Sequence, residues 1–159
     1  MTQEDKNILL KDLCARLPYG VKVNATTPKG EKTGTIVTTT TKFIHLHQDS
    51  KIFGEFYVDD NDECFWLDFG LFKPYLRPMS SMTEKEFEQL KQYSGLEYNQ
   101  LDLAEFPNNH KCLDFYLSEV PSYAVTLVFD WLNAHHFDYC LLIERGLALE
   151  APEGMYKAK

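Results

Sequence analysis

Paired cysteines are missing from this chain. Cys14, Cys64, Cys112 and Cys140 are far apart and no CxxC occurs. A paired-cysteine zinc site and a dense disulfide framework are thereby excluded, and scattered thiols suit a reducing compartment. Long hydrophobic runs are missing too, since no segment approaches the roughly 18 consecutive apolar residues of a membrane span. The opening residues, Met1-Thr2-Gln3-Glu4-Asp5-Lys6, carry neither the basic start nor the apolar stretch of a secretory signal. The expected setting is cytoplasmic and soluble, with no membrane partner.

Positive charge is in short supply. The chain of 159 residues has 16 Lys+Arg against 24 Asp+Glu, a net charge of −8. The deficit is uneven: residues 1–80 hold 10 cations against 11 anions, and residues 81–159 hold 6 against 13. Nucleic acid is bound largely by cations that neutralise phosphates, so the second half is unsuited to it. In the first half Lys22, Lys29, Lys32, Lys42 and Lys51 are diluted by Glu31, Asp49 and Glu55. Nucleic acid is disfavoured as a partner. No GxSxG, Gly-rich phosphate loop or HExxH is present, so no catalytic residue, metal site or cofactor is expected and an enzyme is not favoured.

What the chain does have is a change of pattern near Pro78. Thr2 and Asp5 form a weak capping box for a first helix, and Leu9, Leu10, Leu13 and Leu17 give it one apolar stripe. Pro18 and Gly20 stop it. From Val21 the period becomes two, and Pro28-Lys29-Gly30 is a turn. Further strands are expected over 32–40, 42–47, 52–58 and 63–69, giving five short strands joined by tight turns. The fold class this implies is α+β: an N-terminal helix, a small SH3-like five-stranded β-barrel over about residues 19–72, then a helical C-terminal region. An OB-type barrel fits less well, because its strands usually run longer. The natural division is 1–78 for helix plus barrel and 79–159 for the helical region, packed together as one unit.

Beyond Pro78, Thr83 and Glu86 form a capping box, Met82 can staple to Phe87, and Gly95 ends the helix. Residues 96–121 are less regular: Pro107-Asn108-Asn109 is a loop, and 113–120 suits either a short helix or a strand. Ser122 opens a helix with Val125, Val128, Phe129, Leu132 and His136 on one face and Asp130 and Asn133 opposite. Asp138 is expected to cap a short helix stapled by Phe137 and Leu142 and ended by Gly146, with Leu147 folding back onto Leu142.

Several strings resemble a family of small uncharacterised proteins from gut anaerobic bacteria and their phages. They are Leu13-Cys14-Ala15-Arg16-Leu17-Pro18-Tyr19-Gly20-Val21-Lys22, Lys73-Pro74-Tyr75-Leu76-Arg77-Pro78-Met79-Ser80-Ser81-Met82-Thr83, Asp130-Trp131-Leu132-Asn133-Ala134-His135-His136-Phe137-Asp138-Tyr139 and the stretch from Leu142 to Tyr156. Together they cover roughly a third of the chain. The stretch from Asn24 to Phe72 departs from the family. The resemblance implies a bacterial or phage cytoplasmic setting and carries no activity or site residues.

Two histidine pairs could suggest a metal. His45 and His47 share a strand face, with Asp49 as the only third ligand near in sequence; a polar outer face is the preferred explanation of the pair. His135 and His136 diverge by about 100° on a helix, so they cannot easily share one ion, and a helix C-terminus that favours cationic imidazole accounts for both without Asp138 or Cys140 as ligands. The better candidate is aromatic. Alternation puts Phe65, Leu67 and Phe69 on one face of their strand and Cys64, Trp66 and Asp68 on the other, with Tyr57 and Phe53 in the matching phase of the strand before. Trp66, Tyr57, Phe53 and Asp68 are the candidate binding residues of a non-enzymatic protein-interaction module, with the acidic helical half as the other surface. Coverage of the aromatic patch by the amphipathic helices, which need a surface for their apolar stripes, is the favoured plainer reading. A nucleic-acid module using Trp66, Tyr57 and the Lys22, Lys32 and Lys42 group is the alternative, and a metal or enzyme site not evident in the sequence is a third.

Overall fold

The computed structural model describes residues 1–43, 50–58, 64–96, 103, 106–107, 113, 117–118 and 120–156; over 37–43 and 50–58, and at Trp66 and Phe69, it describes the backbone alone. Helix α1 spans Gln3–Arg16 and opens with the expected capping box: Asp5 donates its backbone N–H to Thr2 Oγ1 (3.1 Å) and its carboxylate accepts from the Thr2 N–H (2.9 Å). A 3₁₀ turn at Leu17–Tyr19 and a left-handed Gly20 (φ 72°) end it. Helix α2, Glu84–Ser94, repeats the device with Thr83 and Glu86 and stops at left-handed Gly95 (φ 67°). Helix α3, Ser122–Ala134, starts after Pro121 with no side-chain cap.

Thr83→Ala removes an acceptor from the Glu86 N–H and a partner from its carboxylate. It is expected to lower stability by about 1 kcal/mol, read as a reduced urea midpoint at unchanged slope.

Among the described residues seven strands form one mixed sheet: β1 (Lys22–Thr27), β2 (Gly30–Phe43), β3 (Ser50–Val58), β4 (Cys64–Asp68), β5 (Phe72–Pro78), β6 (Phe137–Asp138) and β7 (Leu149–Glu150). The order is β4-β3-β2-β1-β5-β6, with β7 also on β5. β1 to β5 pair antiparallel, while β6 and β7 run parallel to β5. The β1–β2 hairpin turns through Pro28-Lys29, with Thr27 paired to Gly30 (φ 101°).

This corrects the barrel expectation. Among the described residues β4 pairs with β3 alone, so the sheet is open and no SH3-like five-stranded barrel closes. The expected strands at 32–40 and 42–47 join, as far as Phe43, into the single long β2, with a register shift between Ile36 and Thr38. Residues 44–47 lie outside the described residues. The extra strand is β5, in the stretch read as the boundary between halves. Its burial alternates, with Phe72, Pro74 and Leu76 buried. Prolines are usually kept out of central strands because each lacks a ladder donor. β5 accommodates two because it is shared in short stretches: 72–74 with β1, 75–76 with β7 and 77–78 with β6.

Two apolar clusters hold the elements together. In the first, Leu9 and Leu13 of α1 meet Val21, Val23, Ile36, Leu67, Phe72 and Leu76 of the sheet, and Leu142, Leu147 and Ala148 close over them. In the second, Met79, Met82, Phe87 and Leu90 pack with Leu113, Leu117, Val128, Trp131, Leu132, Phe137 and Tyr139. Cys140 touches both. The C-terminal part therefore contributes strands to the sheet as well as helix. No helix among the described residues is long and apolar enough to cross a membrane.

Candidate functional site

The ladder between β3 and β4 places the aromatic candidates. Phe53 pairs with Asp68, Glu55 with Trp66 and Tyr57 with Cys64. Directly paired residues of an antiparallel ladder share a face, so positions 53, 55, 57, 64, 66 and 68 form one face at the open end of the sheet. The opposite face carries Leu67, which is buried, and Phe65, which packs beside it. Cys64 is exposed and Asp68 half-buried. Of the lysines in the alternative reading, Lys22 pairs with Thr35, which pairs with Tyr57, so Lys22 is on the aromatic face. Lys32 pairs with Ala25 and falls on the other. Lys42 pairs with Lys51 beyond the end of β4. His45, His47 and Asp49 lie outside the described residues. Among the described residues no group of three His, Cys, Asp or Glu is placed to hold a metal ion.

His135 and His136 have different fates, which corrects the expectation of two cations at a helix end. His135 stays on the last turn of α3, its ring stacked on Trp131 at 3.8 Å between centroids and its Nδ1 2.9 Å from the Trp131 carbonyl. His136 lies past the helix in the left-handed region (φ 59°), where helices usually place glycine, and its N–H bonds the Asn133 carbonyl. Its side chain is buried and stacks on Tyr156 at 3.8 Å. Burial, and then the nearby Arg16 charge, push its pKa down to about 3, so it is neutral. Its Nδ1 makes no hydrogen bond with the described residues.

The stretch after α3 also departs from expectation. Phe137–Asp138 is β6, and residues 139–146 are turns rather than a helix, with Leu141 left-handed (φ 57°). Asp138 still caps: its carboxylate accepts from the Leu142 and Ile143 N–H groups at 2.9 and 2.8 Å. The fold-back also occurs, with the Leu147 N–H bonded to the Leu142 carbonyl at 2.8 Å.

Beneath His136 is a buried ion pair. Arg16, fully buried, gives Nε and Nη2 to the two Asp12 oxygens at 2.8 Å each and Nη2 to the Phe137 carbonyl at 2.8 Å. Burial alone would lower the Arg16 pKa, but the charge and hydrogen bonds of Asp12 outweigh it and hold the guanidinium charged. Burial pushes the Tyr139 phenol and the Cys140 thiol beside it up to about 12, so Cys140 is a poor thiolate source.

A cleft of about 600 Å³ opens above these groups, between the Pro18-Tyr19-Gly20 turn, Lys22, Arg77, residues 134–136 and the segment 154–156. Its outer wall is anchored by Tyr156, whose hydroxyl accepts from the Lys22 N–H (2.9 Å) and donates to the Tyr75 carbonyl (2.8 Å). Tyr19 donates to Asp130, which also accepts from Tyr93 (2.7 Å); the Asp130 bond pushes the Tyr19 phenol up to about 12. Arg77 forks onto Glu86 at 2.7 and 3.0 Å and lies over the Phe137 ring. Sequence reasoning missed this cleft because its walls come from four stretches far apart in the chain, 18–22, 77, 134–136 and 154–156. The one local signal was a helix end at His135-His136 with no glycine to take the left-handed position.

Comparison with known proteins adds no assignment: no protein-family model matches this chain, and neither a curated protein nor a solved structure does.

Proposed function

We propose that this chain is a non-enzymatic, cytoplasmic protein-interaction module of bacterial or phage origin. Its partner is a protein that presents an extended, Lys- or Arg-bearing segment to the side of β4 on which no described strand pairs. The observation that carries this reading is the position of β4 at the open end of the sheet. An extended segment can add to the outer side of a terminal strand by strand pairing, and no described strand occupies that side of β4. Trp66, Tyr57 and Phe53 alternate with Glu55 and Asp68 on the face defined by the ladder. Carboxylates interleaved with aromatic positions favour a basic segment, as does the net charge of −8.

The test uses two extended peptides of equal length, one with Lys/Arg and one with Glu at alternate positions. Amide exchange over 64–68 and Trp66 emission in a Trp131→Phe background are the readouts. The basic peptide is expected to protect those amides, and Trp66→Ala to weaken binding at least tenfold. Equal binding of the acidic peptide, or none by either, removes the reading. Oligonucleotide binding with a steep salt slope would instead favour the nucleic-acid module built on Trp66, Tyr57, Lys22 and Lys42.

A further inference from the structure

A second place where this molecule can hold a ligand lies on the solvent side of α3 and is built from elements other than β4. Asp130 is half-buried there, on the same helix face as the exposed Tyr123 and Thr126. Two other segments reach its carboxylate. Tyr19, from the turn after α1, donates its hydroxyl to Oδ1, and Tyr93, from the last turn of α2, donates its hydroxyl to Oδ2 at 2.7 Å. Both residues remain open to solvent, Tyr19 at 36% exposure and Tyr93 at 49%. Among the described residues the two rings share the carboxylate without stacking on each other.

The charge on Asp130 has no cation beside it. Other shielded carboxylates are matched, Asp12 by Arg16 and Glu86 by Arg77. Asp130 makes no ion pair with the described residues, and its two donors are neutral hydroxyls. No cation acts on those donors either. Besides burial, the Tyr19 phenol responds to Asp130 and Tyr93, and the Tyr93 phenol to Asp130 alone. Tyr19 also borders the cleft beside His136, yet Lys22 and Arg77 of that cleft perturb neither phenol.

This combination has a preferred guest. An aromatic ring carries negative charge on its face, so two rings held at one carboxylate attract a cation placed between them. Both carboxylate oxygens already accept a phenol, so the site offers ring surface and charge rather than a set of free acceptors. A primary ammonium brings three N–H donors that each need an acceptor, whereas a fully alkylated ammonium brings none.

From the carboxylate without a counter-ion and the two open rings it holds, we infer that Asp130, Tyr19 and Tyr93 form an aromatic cage for a quaternary ammonium group. The hydroxyl bonds also tie the turn after α1 to α2 and α3, so the test must separate binding from tethering.

Choline is the probe, with 3,3-dimethylbutan-1-ol as its neutral isostere and ethanolamine as its primary ammonium counterpart. Calorimetry and NMR shifts of the Tyr19 and Tyr93 rings are the readouts. Choline is expected to bind with a Kd of about 1 mM and to move both rings. The neutral isostere should bind about tenfold more weakly, as should choline to the Asp130→Asn and Tyr93→Leu variants. Tyr93→Phe loses the tether but keeps the ring, and should hold choline within about threefold of wild type. Tyr123→Ala, which alters an exposed tyrosine outside the cage, should leave binding unchanged. Absence of choline binding, equal affinity for the isostere or ethanolamine, or a natively folded Tyr93→Leu protein that binds as wild type does would each overturn the assignment. None of these outcomes bears on peptide pairing at β4, so the two readings stand or fall separately.

Discussion

Arg16→Met is expected to cost about 3–5 kcal/mol of stability. Asp12 is only 3% exposed, and the substitution leaves its carboxylate inside the protein without its cation. The Phe137 carbonyl loses its Arg16 donor at the same time. Asp12→Asn should be damaging for the mirror reason, because it strands a guanidinium among Tyr139, Cys140 and His136. Typical domains have only about 5–15 kcal/mol in all, so either change takes a large share. The double variant Asp12→Leu/Arg16→Met removes both charges and should recover much of the loss, since a buried pair replaced by apolar groups is often close to neutral. Urea unfolding of the four proteins gives the coupling directly. Additive losses would show that the two residues act separately, against the geometry described.

Acid should destabilise the protein well before its carboxylates titrate. At pH above about 6.5 His136 is neutral both folded and unfolded, and it contributes no pH dependence. Below that the unfolded chain takes up a proton that the native site refuses until about pH 3. Stability therefore falls as pH falls through this window, by up to about 1.4 kcal/mol per pH unit. The groups facing the ring act together: Arg16, His135 and Arg77 repel the imidazolium, and only a hydrogen bond to the Tyr19 backbone favours it. Glu86, held down to about 2 by Arg77 and Thr83 despite burial, adds a loss of the same sign at lower pH. Asp138, raised by burial, works the other way. His136→Asn keeps a residue that tolerates the left-handed backbone and has no titration. Its urea midpoint should be nearly flat between pH 6.5 and 4.5, where the wild-type value declines. An unchanged slope in this variant would mean that some other group carries the acid response.

The two capping boxes and Gly95 were legible in the sequence because each depends on residues within four positions of one another. Thr2 with Asp5 and Thr83 with Glu86 needed no knowledge of the rest of the fold. β5 was obscured because its prolines outweighed the alternation of Phe72, Pro74 and Leu76, and because what tolerates them is a division among three partners distant in sequence. The open sheet was not legible either: short strands joined by turns state which neighbours pair, not whether the ends meet. The shared phase of Trp66 and Asp68 with Phe53 and Tyr57 could be read, as it follows from alternation once strands 3 and 4 are adjacent. His136 was misjudged as a cation because its neutrality depends on burial under Tyr156 and on Arg16, neither of which is near it in the chain.

Arg16 meets the Phe137 carbonyl across 121 residues, and Tyr156 meets the Lys22 N–H across 134. These contacts set a timetable during synthesis. The N-terminal helix and the β1–β3 meander emerge from the ribosome early, but the buried Arg16 has no carbonyl to reach until residue 137 follows. The β5 edge waits longer still, for residues 149–156 to lie along it. A nascent chain thus keeps a charged side chain and a strand edge uncovered until residues 137 and 149–156 have emerged, so closure of this fold waits on segments far along the chain from those they cover.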